Sequence, residues 1–137
     1  MKKLLGVMVL SLLWCSTSYA NIIMQDLIDA LVETKKPKSI EVANNLKSTG
    51  DNDKSYDLVI RKANLNIKDA KNIATAIKKI DQNKGPQLGT ISMSFNEDLK
   101  DEGVITILNH IPLTTSVIAF VECGITDKAG QAIIDWA

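Results

Sequence analysis

Two spacings of apolar residues alternate along the second half of this chain. The pairs Leu58 and Ile60, Ile91 and Met93, and Ile118 and Phe120 each leave one residue between them. Period two puts such side chains on one face of a short strand. Each pair is followed by apolar residues three and four apart: Ile73, Ala76, Ile77 and Ile80; then Val104, Ile107, Leu108 and Ile111; then Ala129, Ala132 and Ile133. That spacing marks one face of a helix. Three strand-helix units result, starting near Leu58, Ile91 and Ile118, with 33 and then 27 residues between starts. A unit repeated in this order predicts an α/β fold, with parallel strands on one side and helices on the other.

Superposing the units gives a candidate core. Leu58, Ile60, Ala63, Leu65, Asp69, Ile73 and Ile77 align with Ile91, Met93, Asn96, Leu99, Gly103, Ile107 and Leu108, and with Ile118, Phe120, Cys123, Ile125, Ala129, Ile133 and Ile134. Asp101 and Asp127 lie near predicted helix starts, where a carboxylate caps or complements the positive end.

Residues 21–56 follow a different pattern. Ile23, Leu27 and Leu31 are four apart, which predicts an amphipathic helix ending near Thr34. Lys35-Lys36-Pro37-Lys38 interrupts it, and Ser39 is the candidate N-cap of a second helix carrying Ile40, Ala43 and Leu46. The run STGDNDKS then reads as an exposed loop. A helical pair with one polar face suits the end of a stacked array, whose terminal unit would otherwise expose its apolar inside. Residues 21–56 are therefore expected to form a helical N-terminal cap and loop.

The first twenty residues are read as a signal peptide. Lys2 and Lys3 precede an apolar stretch from Leu4 to Trp14, and Ser18 and Ala20 supply small residues before an expected cleavage after Ala20. The apolar stretch is shorter than the roughly 20 residues that span a bilayer. Trp14 precedes Cys15 where lipidation needs a small residue. The expected product is periplasmic or secreted, with no stable membrane insertion. Of the two cysteines only Cys123 would remain, so no disulfide could form within it.

The segment LGTISMSFNEDLKDEGVITIL, residues 88–108, resembles the leucine-rich repeat family of the ribonuclease-inhibitor-like type. It is similar to that family's Leu-x-x-Leu-x-Leu-x-x-Asn-x-Leu pattern followed by an Asp and a Gly opening a helix, and the resemblance extends over residues 56–137. Three departures stand out: one extra residue between Asn96 and Leu99, Thr115 in place of the opening leucine of the last unit, and Ala63 at the Asn/Cys position of the first. The resemblance implies a short solenoid, residues 57–137, in which Asn96 and Cys123 serve the backbone of the turn.

Charge and candidate chemistry narrow the function further. The 137 residues carry 16 basic and 16 acidic side chains, with 45% hydrophobic but 4% aromatic content. Zero net charge offers no footprint for nucleic acid. Asp51, Asp53, Ser55 and Asp57 alternate as calcium ligands do, but Tyr56 stands at the glycine position and Lys62 at the twelfth, so no metal is expected. Glu97, Asp98, Asp101 and Glu102 are clustered carboxylates, which would do acid-base work only where their pKa values are raised. His110 is the sole histidine and Cys123 lies in another unit, so neither a zinc site nor a Cys-His pair is expected, and no glycine-rich phosphate loop is present. No cofactor is called for.

A surface remains. Val59, Arg61, Lys62, Ser92, Ser94, Phe95, Ala119, Val121 and Glu122 lie between the core positions of the strands and are the candidate partner-binding residues. The expectation is a non-enzymatic binding module for an unidentified protein or peptide, with apolar contacts from Val59, Phe95 and Val121. Two competing expectations are a small hydrolase built on Asp101 and its neighbours, and a self-associating protein that dimerises through the C-terminal edge near Trp136.

Overall fold

The computed structural model describes residues 22–50 and 52–137; the expected signal peptide lies outside the described residues. Helices α1 (Ile22–Glu33) and α2 (Pro37–Leu46) come first. Strand β1 (Ser55–Val59), helix α3 (Ile67–Gln82), strand β2 (Gln87–Ser92), helix α4 (Lys100–Leu108), strand β3 (Val117–Ala119) and helix α5 (Asp127–Trp136) follow. A 3-10 turn, Glu97–Leu99, leads into α4.

The three strands form one parallel sheet in the order β1-β2-β3. Leu58 lies beside Ile91 and Ile91 beside Ile118, the alignment expected from the repeat. Tyr56 pairs with Leu88 and Asp57 with Thr90, so Gly89 bulges from β2. The helices pack in matching order, α3 on α4 and α4 on α5, while α1 packs on α3 and α2 on α1. The protein is thus a mixed α/β structure with a three-stranded parallel sheet on one side and helices on the other.

Its core lies between those layers. Leu58, Ile60, Ile91 and Met93 from the sheet meet Ile73, Ile77, Val104 and Ile107 from the helices, all within 1% of complete burial. Met24, Leu27 and Leu31 of α1 extend the same core past β1. Removing a side chain such as Leu58 from water contributes about 1.5–3 kcal/mol.

Local chemistry explains the boundaries, and in places corrects the sequence-based expectations. Asn66 and Asp69 form a reciprocal capping box at the start of α3: the Asn66 side chain accepts from Asp69 N–H, and the Asp69 carboxylate accepts from Asn66 N–H, both at 3.0 Å. Ser39 is not an N-cap. Helix α2 starts at Pro37 because proline's fixed φ and missing N–H suit the first helical position, leaving Ser39 buried inside the helix. Strand β1 begins at Ser55, so the expected boundary at residue 56 cuts through it. Ile134 leaves the core list, since α5 has no neighbour on that side among the described residues and Ile134 is 69% exposed.

The turns leaving the strands share a feature that apolar spacing does not reveal. Lys62, Phe95 and Glu122 occupy the same place in the three units, and all are left-handed, with φ of 53°, 64° and 52°. Such a conformation costs a residue other than glycine roughly 1–2 kcal/mol. It recurs here because the main chain must swing from the sheet toward the helix layer while the strand-to-strand bonds continue, Lys62 N–H to Ser94 C=O at 3.2 Å and Phe95 N–H to Val121 C=O at 2.7 Å.

Candidate binding face

The sheet has one face against the helices and one toward solvent. Alternation along the strands brings Asp57, Thr90 and Val117 into one row of the outer face, and Val59, Ser92 and Ala119 into the next. The main-chain bonds beyond the strands continue with Arg61, Ser94 and Val121. Val59 is 46% exposed, Val117 50% and Val121 57%. Arg61, Lys62 and Glu122 are exposed too, and Ala119 is half-buried.

Ser92 and Ser94 depart from the expected surface set. Both are buried, because the central strand has a neighbour on each side and a serine side chain is too short to rise between them. Ser94 is used internally: its hydroxyl accepts a hydrogen bond from Val121 N–H at 3.1 Å. The outer face therefore carries exposed valines at both margins, Val59 between the charged Asp57 and Arg61 on one and Val117 and Val121 on the other, with a low polar centre between them.

Phe95 sits at the end of this face, half-buried. Its left-handed backbone turns the ring toward β1, where the Arg61 guanidinium lies 5.1 Å and the Lys62 ammonium 5.2 Å from the ring centroid. Contacts of this kind contribute about 0.5–1 kcal/mol at exposed sites. They hold two cations and a ring as one amphipathic cluster. Helix α2 adds a wall: Lys38, Glu41, Val42 and Asn45 face Val59, Ile60 and Arg61 across a shallow groove. Strand spacing gave no sign of that wall, since it depends on how α2 docks.

Beneath the face, the turn residues are bound into the protein. Asn96 is completely buried. Its Oδ1 accepts from Ala63 N–H and Leu65 N–H, each at 3.0 Å, while its Nδ2 donates to Ile60 C=O at 2.8 Å and Met93 C=O at 2.7 Å. Cys123 stands one unit later, with its thiol 3.2 Å from Met93 C=O. Burial pushes that thiol's pKa up, which keeps it protonated and unreactive.

The carboxylate cluster serves the helix layer. Asp101 lies in the first turn of α4, as expected, but its hydrogen bonds go to the next unit. It accepts from Thr126 N–H at 2.8 Å, Thr126 Oγ1–H at 2.6 Å and Ala129 N–H at 3.3 Å, at the start of α5. Those Thr126 bonds, with that of Ala129 and the nearby Lys128, hold its carboxyl below the usual range. Glu102 is lowered likewise by its 2.6 Å bond to Lys71 of α3. Lowered values are the opposite of what a general acid requires. His110 Nδ1 is occupied 2.7 Å from Thr106 C=O. Among the described residues no cluster of His, Cys, Asp and Glu could hold a metal ion, and no helix is long and apolar enough to cross a membrane.

The lowered Asp101 value has a pH consequence. Its native pKa lies below the ordinary 3.8, so the stabilisation is present above that value and is lost as the pH falls through the native one. The stability difference between the parent and Asp101→Ala, measured by urea unfolding, is expected to stay constant from neutral pH to about pH 5 and to shrink below about pH 4. A difference that grows on acidification would show that the carboxylate is not the stabilising form.

Comparison with known proteins gives no relative: no family model matches the chain, and neither a curated protein nor a solved structure matches it.

Proposed function

We propose that this protein is an exported, non-enzymatic binding module, a short leucine-rich-repeat-like solenoid with a helical N-terminal cap, whose outer sheet face takes up a protein or peptide. The observation that carries the binding role is the company around Phe95: an aromatic ring bracketed by Arg61 and Lys62, with exposed Val59 on one side and exposed Val121 on the other. Aromatic and arginine side chains within an apolar surround dominate many protein interfaces. The repeat reading is supported by Asn96, whose side chain satisfies the backbone of its own turn and the one before it. The cap reading is supported by α1, whose Met24, Leu27 and Leu31 cover the β1 end of the core. The export reading rests on residues 1–20, and N-terminal sequencing that begins at Asn21 is the result expected for it.

Capture of partners from a native extract, followed by affinity measurement on the retained protein, tests the face. Phe95→Ala and Val121→Glu are each expected to weaken binding by about 10-fold to 100-fold, the scale of losing one central interface side chain. Far-UV circular dichroism should stay unchanged, because neither side chain is fully buried. Undiminished capture by both folded variants would remove this face from consideration.

A further inference from the structure

Strand β1 has a free side that faces another element of the same chain. Ile60 N–H donates to Ser92 C=O at 2.8 Å and Lys62 N–H to Ser94 C=O at 3.2 Å, so alternation turns the main-chain groups of Asp57, Val59 and Arg61 away from β2. No described strand takes them up. Helix α2 stands on that side, but its own N–H and C=O groups bond along the helix. Between the two lies a groove of about 270 Å³, with Val59, Ile60 and Arg61 on one wall and Lys38, Glu41, Val42 and Asn45 on the other. Charge is uneven along it. The Lys36 ammonium bonds to Asn64 C=O, which brings the start of α2 beside the turn that follows β1. Lys38 thereby joins Arg61 and Lys62 at one end. All three are exposed, and none forms an ion pair among the described residues. Glu41 follows one turn later in α2, Asp57 precedes Arg61 by four residues, and Glu122 stands two strands away. The positive surplus is thus confined to the Phe95 end of the groove.

We propose that this groove takes an extended acidic peptide, which lies along β1 as an added strand and sets its carboxylates against Lys38, Arg61 and Lys62. The proposal rests on the reading of the outer face as a binding surface and names what comes to it. Unpaired main-chain groups call for an extended segment, since those of a helix are already bonded to one another. A further strand-helix unit cannot stack here, because α1 and α2 hold the place beyond α3 in the helix layer. A second copy is too broad: α2 flanks its β1 and α5 backs its β3, so helices would meet before strands came within the pairing distance of about 4.8 Å. Residues 1–20 carry Lys2 and Lys3 and no acid, so charge opposes them as the occupant. A continuous polyphosphate is disfavoured too, since Glu41 and Asp57 border the cations. A single narrow strand with acidic side chains at one end meets the shape, the free main-chain groups and the charge together.

Panning a random peptide library of about ten residues, displayed on phage, against the purified protein supplies the probe. Selected sequences are expected to be rich in Asp and Glu and in strand-favouring residues. A synthetic copy of a selected peptide, followed by fluorescence anisotropy, should bind Arg61→Glu and Lys38→Glu about 10-fold more weakly than the parent. Both side chains are exposed, so circular dichroism of the variants should match that of the parent. N-methylation of the peptide tests strand pairing without altering the protein. Methylating one alternate set of its residues should weaken binding about 10-fold or more and the other set little, because every second N–H faces β1. Selected peptides that are not acidic, or whose affinity shows no such alternation, overturn this inference while leaving the outer face as a binding surface. Failure of that wider reading shows separately, as partner capture undiminished by Phe95→Ala and Val121→Glu. Selection of no peptide, or tighter binding of a ten-nucleotide oligothymidine than of any selected peptide, overturns the inference as well.

Discussion

Asn96→Ala is expected to lower the free energy of unfolding by about 4 kcal/mol, enough to bring a domain of this size close to its folding limit. One buried amide satisfies four main-chain groups: the N–H of Ala63 and Leu65, and the C=O of Ile60 and Met93. Truncation removes the amide from all four at once, leaving Met93 C=O only its contact with the Cys123 thiol, in a place with no exposure to water. An orphaned buried group costs about 1–3 kcal/mol, and the sum is held near 4 because the turns can relax or admit a water molecule. Asn96→Asp separates the two halves of the role. It keeps both accepted bonds but sets a carboxylate oxygen against two carbonyls, so at neutral pH it should be no better than alanine. Cys123→Ala, where the thiol's contacts with Met93 C=O and Val121 C=O are lost, should cost only about 1 kcal/mol beyond its lost packing. Urea unfolding of the three variants gives the comparison, and a midpoint for Asn96→Ala equal to that of the parent would refute the assigned role.

Gly124→Ala should be the second large effect, a loss of about 3 kcal/mol. Two causes combine. Gly124 has φ of +65°, where a Cβ is disfavoured by roughly 1–2 kcal/mol. The new Cβ would also stand 2.2 Å from the Glu97 carbonyl oxygen, a main-chain atom that cannot rotate aside. The turn between β3 and α5 must therefore move away from the 3-10 turn before α4, which loosens the bond from Lys100 N–H to Cys123 C=O. Thermal unfolding by calorimetry is the measurement. A shift within experimental scatter would mean that this close approach is not maintained in solution.

Much of the architecture was legible in the residue pattern. The pairs Leu58 and Ile60, Ile91 and Met93, and Ile118 and Phe120 do line one side of a parallel sheet, because alternation of side chains along a strand is a local property. The same holds for Ile73, Ala76, Ile77 and Ile80, which all lie on the buried side of α3. Of the outer-face residues, Val59, Arg61, Lys62, Val121 and Glu122 are exposed as the alternation implies. Ser92 and Ser94 are not, since their burial depends on having a strand on either side, a fact about neighbours that spacing within one unit does not carry.

The contacts between units follow the same division. That an acidic residue sits at the start of α4 is plain from the chain, but that Asp101 spends its hydrogen bonds on Thr126 and Ala129 depends on how far α5 is displaced from α4. Lys36 likewise reaches Asp69 and Asn64 from the turn between α1 and α2, tying that turn to the start of α3 across a wide sequence separation. Phe95 is the clearest case. Its place in the repeat was readable, yet its ring direction follows from the left-handed backbone at that position and from the two cations that β1 brings beside it. The order of the elements, their buried faces and the repeat length are thus written in the amino-acid pattern, because each depends on residues within a few positions of one another. The composition of the outer face and the capping of one helix by its neighbour arise when separate units meet in register, and that register is set by distant main-chain partners that no local spacing encodes.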